Sequence, residues 1–162
     1  MKRRAFLVVL PALAAGCGFQ LRRIDTMPFA SLHLDAPPGS AVAQRVDTGV
    51  RGIRNLRLTS SAAEAEVALK IGAEERSKII LSLSGAGRVT EYRLGLHVRY
   101  GIEGRDGRVL AAPETIELVR DMTYDDRVLL AKGTEEQLLY RDMEEVAAQR
   151  ILRRLHDLHL TN

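Results

Sequence analysis

The sequence predicts an α/β (α+β) fold: a two-layer sandwich, with two helices packed on one face of a four-stranded mixed sheet. Three observations carry this expectation. Residues 92–103 alternate, with Tyr92, Leu94, Leu96, Val98, Tyr100 and Ile102 on one face and Arg93, Gly95, His97, Arg99, Gly101 and Glu103 on the other. Two other stretches, Val42 to Ile53 and Leu139 to Leu158, carry apolar residues at helical spacing. The elements run strand, helix, three strands, helix, and two amphipathic helices with one sheet make two layers. A chain of 162 residues can bury one such core.

The first residues precede the fold. MKRRAFLVVLPALAAGC has a basic start (Lys2, Arg3, Arg4), an apolar run from Ala5 to Ala15, and small residues leading to Cys17. That is the layout of a secretory signal. The apolar run is shorter than the ~20 residues a spanning helix needs, and Pro11 interrupts it. The segment Ala14-Ala15-Gly16-Cys17 resembles a bacterial lipobox, with Ala14 where Leu is preferred. The resemblance implies that residues 1–16 are removed, that Cys17 carries diacylglycerol and an acyl chain such as palmitate, and that this covalent lipid anchors the protein. Several acyl chains together hold firmly, at about 0.8 kcal/mol per buried CH₂. Residues 17–28 read as lipidated N-terminus and tether, and residues 29–162 as a single domain. Gly18, where Asp would signal inner-membrane retention, points to the outer membrane.

Within the domain, Ala30 to Ala36 alternates as a half-buried strand and stops at Pro37-Pro38-Gly39. Ser40 caps the first helix, whose apolar face is Val42, Val46, Val50 and Ile53; Gly49 and Gly52 weaken it. A second strand covers residues 66–75, with Val67, Leu69, Ile71 and Ala73 on one face, and continues after a bend through Ile79 to Leu83. Ser84-Gly85-Ala86-Gly87 is a turn leading to the third strand. Arg105-Asp106-Gly107 makes a hairpin, and Asp-Gly favours the primed turn types. The fourth strand runs from Val109 to Tyr124, interrupted near Pro113. Thr134-Glu135-Glu136-Gln137 reads as a capping box opening the last helix. Early acids and late arginines on that helix suit its dipole.

Charge narrows the function. There are 24 Lys+Arg against 21 Asp+Glu. Lys2, Arg3 and Arg4 account for the whole excess, so the remainder is balanced. A balanced domain is a poor nucleic-acid binder. No catalytic constellation is visible, which argues against an enzyme. Cys17 is the one cysteine. His156 and His159 suit a helix C-terminus better than a metal. Asp125-Asp126 suits a turn, and Ser84 to Gly87 lacks the lysine of a phosphate loop.

Four stretches carry a family resemblance. Cys17-Gly18-Phe19-Gln20-Leu21-Arg22, Thr90-Glu91-Tyr92-Arg93-Leu94, Arg120 to Asp126, and Leu130-Ala131-Lys132-Gly133-Thr134-Glu135-Glu136 running on to Leu155 resemble, in order, the LptE family of lipopolysaccharide-assembly lipoproteins. The resemblance implies an outer-membrane lipoprotein that makes and breaks no bond. It would plug and help assemble the β-barrel LptD, face the periplasm and the barrel lumen, and take part in lipopolysaccharide transport to the outer leaflet. The alternative is a periplasmic lipoprotein serving an inner-membrane transport system. Lipopolysaccharide is anionic, so a balanced domain must meet it through local cations. The candidates are Lys132, which lies in a matching stretch, with Arg88 and Arg93; each also fits a solvated surface charge. Arg120 falls in the inward register between Leu118 and Met122. It is expected to form a structural ion pair, with Asp125 or Glu91. No metal or other cofactor is expected.

Overall fold

Alternation sets the sheet, and pairing sets its order. The computed structural model describes residues 24–125, 127 and 129–158. The signal-like segment, Cys17, Asp126 and His159 lie outside these residues. Strands β1 (Ser31–Asp35), β2 (Arg57–Thr59), β3 (Val67–Leu83), β4 (Val89–Gly104) and β5 (Val109–Thr123) form one sheet in the order β2-β1-β3-β4-β5. β1 is parallel to both β2 and β3, while β3, β4 and β5 are antiparallel neighbours. Helix α1 (Ala41–Arg51) joins β1 to β2, and α2 (Leu129–His156) follows β5. Both helices share one core with the sheet, so the expected two-layer α+β sandwich is observed. The sheet has five strands rather than four. The addition is β2, whose three residues are too few to show alternation; parallel pairing with β1 defines it.

α1 starts where expected. Ser40 Oγ accepts from the Ala43 amide at 2.9 Å. Glu74 of β3 takes both the Ser40 hydroxyl and the Val42 amide, the latter at 3.0 Å. A carboxylate thus sits at the helix N-terminus, where the dipole favours it. Gly49 has a packing role. A Cβ there would lie 2.6 Å from Leu152 Cδ1, so its small size leaves room for that side chain of α2.

β3 departs from simple alternation. Ile71 pairs with Tyr100 but Glu74 pairs with Val98, so β3 spends one extra residue. This bulge exchanges the two faces of the strand. Val67, Leu69 and Ile71 face the helices before it; Glu74, Arg76, Lys78 and Ile80 do so after it. Ala73, expected on the apolar face, is exposed. The two hairpin turns are alike. Gly87 and Gly107 have φ of 76° and 77°, and no other residue type has positive φ among the described residues. The amides of Ser84 and Gly104 donate to Arg88 and Arg108 carbonyls at 2.7 and 2.8 Å. These are three-residue loops closed by a left-handed glycine, not the primed two-residue turn that Asp106-Gly107 suggested.

The long helix begins earlier than its capping box implied. α2 is already helical at Leu129, and Thr134 Oγ1 donates to the Leu130 carbonyl at 3.2 Å, one turn back. An interior threonine bonding this way is an alternative to the N-cap role. The apolar stripe is as expected, with Met143, Ala147, Ile151 and Leu155 fully buried.

The described residues just ahead of β1 pack onto the domain. Met27 and Phe29 are buried in the core. Asn55 clamps Met27: its Oδ1 accepts from the Met27 amide at 2.9 Å and its Nδ2 donates to the Met27 carbonyl at 2.8 Å. Asn55→Ala leaves two backbone groups unpaired beside a buried side chain. It should lower stability by about 2 kcal/mol, read as a fall in urea midpoint with unchanged slope.

Candidate functional site

The register flip in β3 builds a polar seat for the first half of α2. Lys78 Nζ meets Glu136 at 2.6 Å and lies 4.4 Å from the Tyr92 ring centroid. The hydrogen bond to Glu136 raises the Lys78 pKa against the opposing effect of burial. Tyr92 packs edge-on against Tyr124, with centroids 5.0 Å apart. Arg76 stacks 4.9 Å from the Tyr140 centroid, and the Tyr140 hydroxyl donates to the Ser77 carbonyl at 2.8 Å. Burial, more than neighbouring Glu136, raises the Tyr140 pKa. Arg76 also pairs with Glu144, whose side chain is only 3% exposed. Arg45 of α1 reaches the same carboxylate at 3.1 Å, and Glu145 at 3.2 Å. A cleft of about 660 Å³ lies above this hub, lined by Arg45, Arg76, Tyr140, Arg141, Glu144 and Glu145 among others.

Each candidate cation has its own neighbours. Lys132 stands near the start of α2, its side chain 16% exposed. Nζ meets Glu135 at 2.7 Å and Thr123 Oγ1 at 3.4 Å. Arg93 faces away from the helices and pairs with Asp121 at 2.8 Å across β4 and β5. That hydrogen-bonded pair raises the arginine pKa and lowers the aspartate's. Arg88 is exposed at the base of the Ser84–Gly87 turn. The structure therefore places the three around the end of the sheet that carries the Ser84–Gly87 turn, its distal end, without joining them into one contact set.

Arg120 has the expected inward register, opposite Leu94. Its partner is Asp142 of α2 at 2.8 Å, not Asp125 or Glu91. The reason is positional. Glu91 is on the opposite face and bonded to Ser82 at 3.0 Å. Asp125 is held by Arg127 at 2.7 Å, and those hydrogen bonds draw its pKa down to about 2. Arg154 and Glu114, 3.2 Å apart, make a further link between α2 and the sheet.

Two features escaped sequence reasoning. Glu144 is one; the spacing Tyr140, Glu144, Ala147, Ile151 on the buried side of α2 could have revealed it. The other is a set of exposed apolar side chains toward the distal end: Ile79, Ile80, Leu81, Leu83, Leu130 and Leu138. Among the described residues no group of three or more His, Cys, Asp and Glu side chains is placed to hold a metal, and no helix is long and apolar enough to cross a membrane. His97 faces Glu117 at 3.8 Å, and His33 Nδ1 lies 3.1 Å from the Thr59 carbonyl.

Tyr100 gives a direct probe of the core. Burial, then its 2.9 Å hydrogen bond to Glu114, pushes its pKa up to about 12. An unfolded tyrosine titrates near 10. Between these values the folded state keeps a proton that the unfolded state has lost. The Tyr100 contribution to stability is thus complete below about pH 10 and lost as pH rises through about 12. With four tyrosines and no tryptophan, tyrosinate absorbance should show a late component that Tyr100→Phe removes. Ionisation of every tyrosine near pH 10 would contradict this.

Two helices laid on one face of a β2-β1-β3-β4-β5 sheet, with ion pairs between the layers, is the fold of a class of bacterial lipoprotein domains. The solution structure of lipoprotein B from Nitrosomonas europaea matches with a TM-score of 0.74 and 32% identity, covering 86% of this chain and 91% of that one. The crystal structure of rare lipoprotein B from Shewanella oneidensis matches with a TM-score of 0.67 and 30% identity, covering 76% and 92%. Among sequence relatives, the LPS-assembly lipoprotein LptE of Photorhabdus laumondii is 28% identical over 166 residues, 97% of this chain and 88% of its own length. The family model LptE, described as lipopolysaccharide-assembly, matches residues 29–155, and the chain belongs to that family.

Proposed function

We propose that this chain is exported, trimmed before Cys17 and acylated there. It then acts from the outer membrane as the plug and assembly partner of the LptD barrel during lipopolysaccharide delivery to the outer leaflet. It works by binding alone, without catalysis and with no cofactor beyond its covalent lipid. The observation that carries this reading is the family match across residues 29–155, behind the lipobox-like Ala14 to Cys17. The distal end supports it. Lys132 and Arg88 offer cations to phosphates, and Ile79 to Leu83 offers exposed apolar surface to acyl chains or to a barrel wall. Arg93 contributes in the same way once its pairing with Asp121 loosens. Arg120 is structural.

Metabolic labelling with palmitate, followed by separation of the two membranes on a density gradient, tests the reading. The labelled protein should band with the outer membrane, and Cys17→Ala should abolish the label. Banding with the inner membrane would favour service to an inner-membrane transport system instead.

A further inference from the structure

We propose that the distal part of β3, residues 77–83, is an edge left open for an extended segment of the barrel partner, which joins the sheet there as an added strand. The proposal rests on the plug reading above and names a contact through which that reading works.

Pairing leaves β3 covered on one side only. β1 lies along it from Val67 to Lys70 and no further. β4 pairs with its other side through to Leu83. Beyond Lys70, every second amide and carbonyl of β3 points away from β4, and no strand meets them among the described residues.

Among the described residues the sheet has three open edges, and two are blunted. β2 is three residues long. β5 carries Pro113, Glu114, Glu117, Arg120 and Asp121 along its length. Short strands, prolines and edge charges guard against unwanted pairing. Residues 77–83 read Ser-Lys-Ile-Ile-Leu-Ser-Leu, with one charge and no proline or glycine. Ile79 and Ile80 point to opposite faces of the sheet, yet each is 55% exposed, and Leu81 and Leu83 are exposed beside them. Such an edge is an aggregation site when bare, so a chain that keeps it pairs it in use.

The occupant must bring a backbone. An acyl chain can cover leucines but offers nothing to a row of amides and carbonyls. A second copy offers the same edge, but two paired copies would bury the distal end that the plug reading sets against the barrel. The wall strands of a barrel are already paired on both sides, so the segment comes from a loop or from chain that leaves the wall. Its chemistry is set by what flanks it. Beside Ile79, on the outer face, an apolar side chain fits. On the helix face the neighbours are Arg76 and the cleft, whose lining sets Arg45, Arg76 and Arg141 against Glu144 and Glu145. Arg141 makes no ion pair among the described residues. An acidic side chain suits that face.

Crosslinking in the full-length, acylated protein purified from outer membranes tests this. A photo-reactive residue in place of Ser77, Ile79 or Leu83 should capture one and the same stretch of LptD, and one in place of Thr115 or Val119 of β5 should not. With that stretch known, Ser77→Cys and Ile79→Cys should form disulfides with single cysteines two residues apart in it, as a paired strand requires. Ile79→Lys combined with Leu81→Lys should lower the recovered LptD several-fold with an unchanged urea midpoint, since both side chains are exposed. Capture of scattered LptD stretches, of a second copy or of lipopolysaccharide alone would overturn the proposal, as would LptD recovery that the two lysines leave unchanged. LptD that co-purifies without any capture from β3 would overturn the proposal alone. Absence of LptD from the preparation would contradict the plug reading itself.

Discussion

Replacing Arg45 and Arg76 together with alanine should destabilise the domain by about 3–5 kcal/mol, several times the effect of either change alone. The expectation follows from where the charges sit. Glu144 is 3% exposed, while its two partners are 30% and 52% exposed. A carboxylate that loses every partner in such a place pays its desolvation penalty without return. One remaining arginine still satisfies it, so each single variant should cost about 1 kcal/mol. The asymmetry can be tested from the other side. Glu144→Met removes the buried charge and frees two arginines that already reach water, so it should cost less than about 1.5 kcal/mol. Urea unfolding followed by circular dichroism gives all four values. A double variant within 1 kcal/mol of the parent would show that Glu144 does not depend on its arginines.

Lys132→Glu should weaken lipopolysaccharide binding by about tenfold or more, roughly 1.4 kcal/mol, whereas Arg153→Glu on the other end of α2 should leave it nearly unchanged. Lys132 is the least exposed of the three candidate cations, and its ammonium is already shared with Glu135 and Thr123. Reversal there removes a cation and sets a third carboxylate near Glu135 and Asp125, which repels phosphate as well. The same geometry predicts the opposite sign for a second variant. Glu135→Gln removes the competing anion, so affinity should rise two- to several-fold. Lys132→Met separates loss of charge from reversal and should fall between. Equal affinities for Lys132→Glu and Arg153→Glu would remove the specific site, provided that unfolding midpoints show both variants folded.

The legible parts of the fold were those in which one physical pattern acted alone. β4 runs between two strands with one face in the core, so its alternation is uninterrupted and its inward residues were all placed correctly. α1 declares itself through Ser40 and a regular valine spacing. β3 reads clearly only to Ile71. The bulge there exchanges its faces, and the inward residues that follow are Glu74, Arg76 and Lys78, whose partners come from α1 and α2. Charged inward residues look like solvent-facing ones until those partners are in place. The same blindness hid Glu144 and misassigned the partner of Arg120, because Asp142 lies 22 residues away on another element. The start of α2 was misplaced because Thr134-Glu135-Glu136-Gln137 fits a capping box locally while helical packing continues back to Leu129. Of the candidate site, Lys132 and Arg88 were legible as local cations near turns or helix ends. The apolar cluster around Ile79 to Leu83 was not, since alternation alone implies burial of one face and says nothing of where the covering helix stops.

If this protein works inside a partner barrel, the two should leave the membrane together. Affinity purification of the tagged, full-length protein from detergent-solubilised outer membranes should recover LptD in near-equal amount, and the pair should stay together through size exclusion. Quantitative recovery of the folded, acylated protein without LptD would show that it works elsewhere.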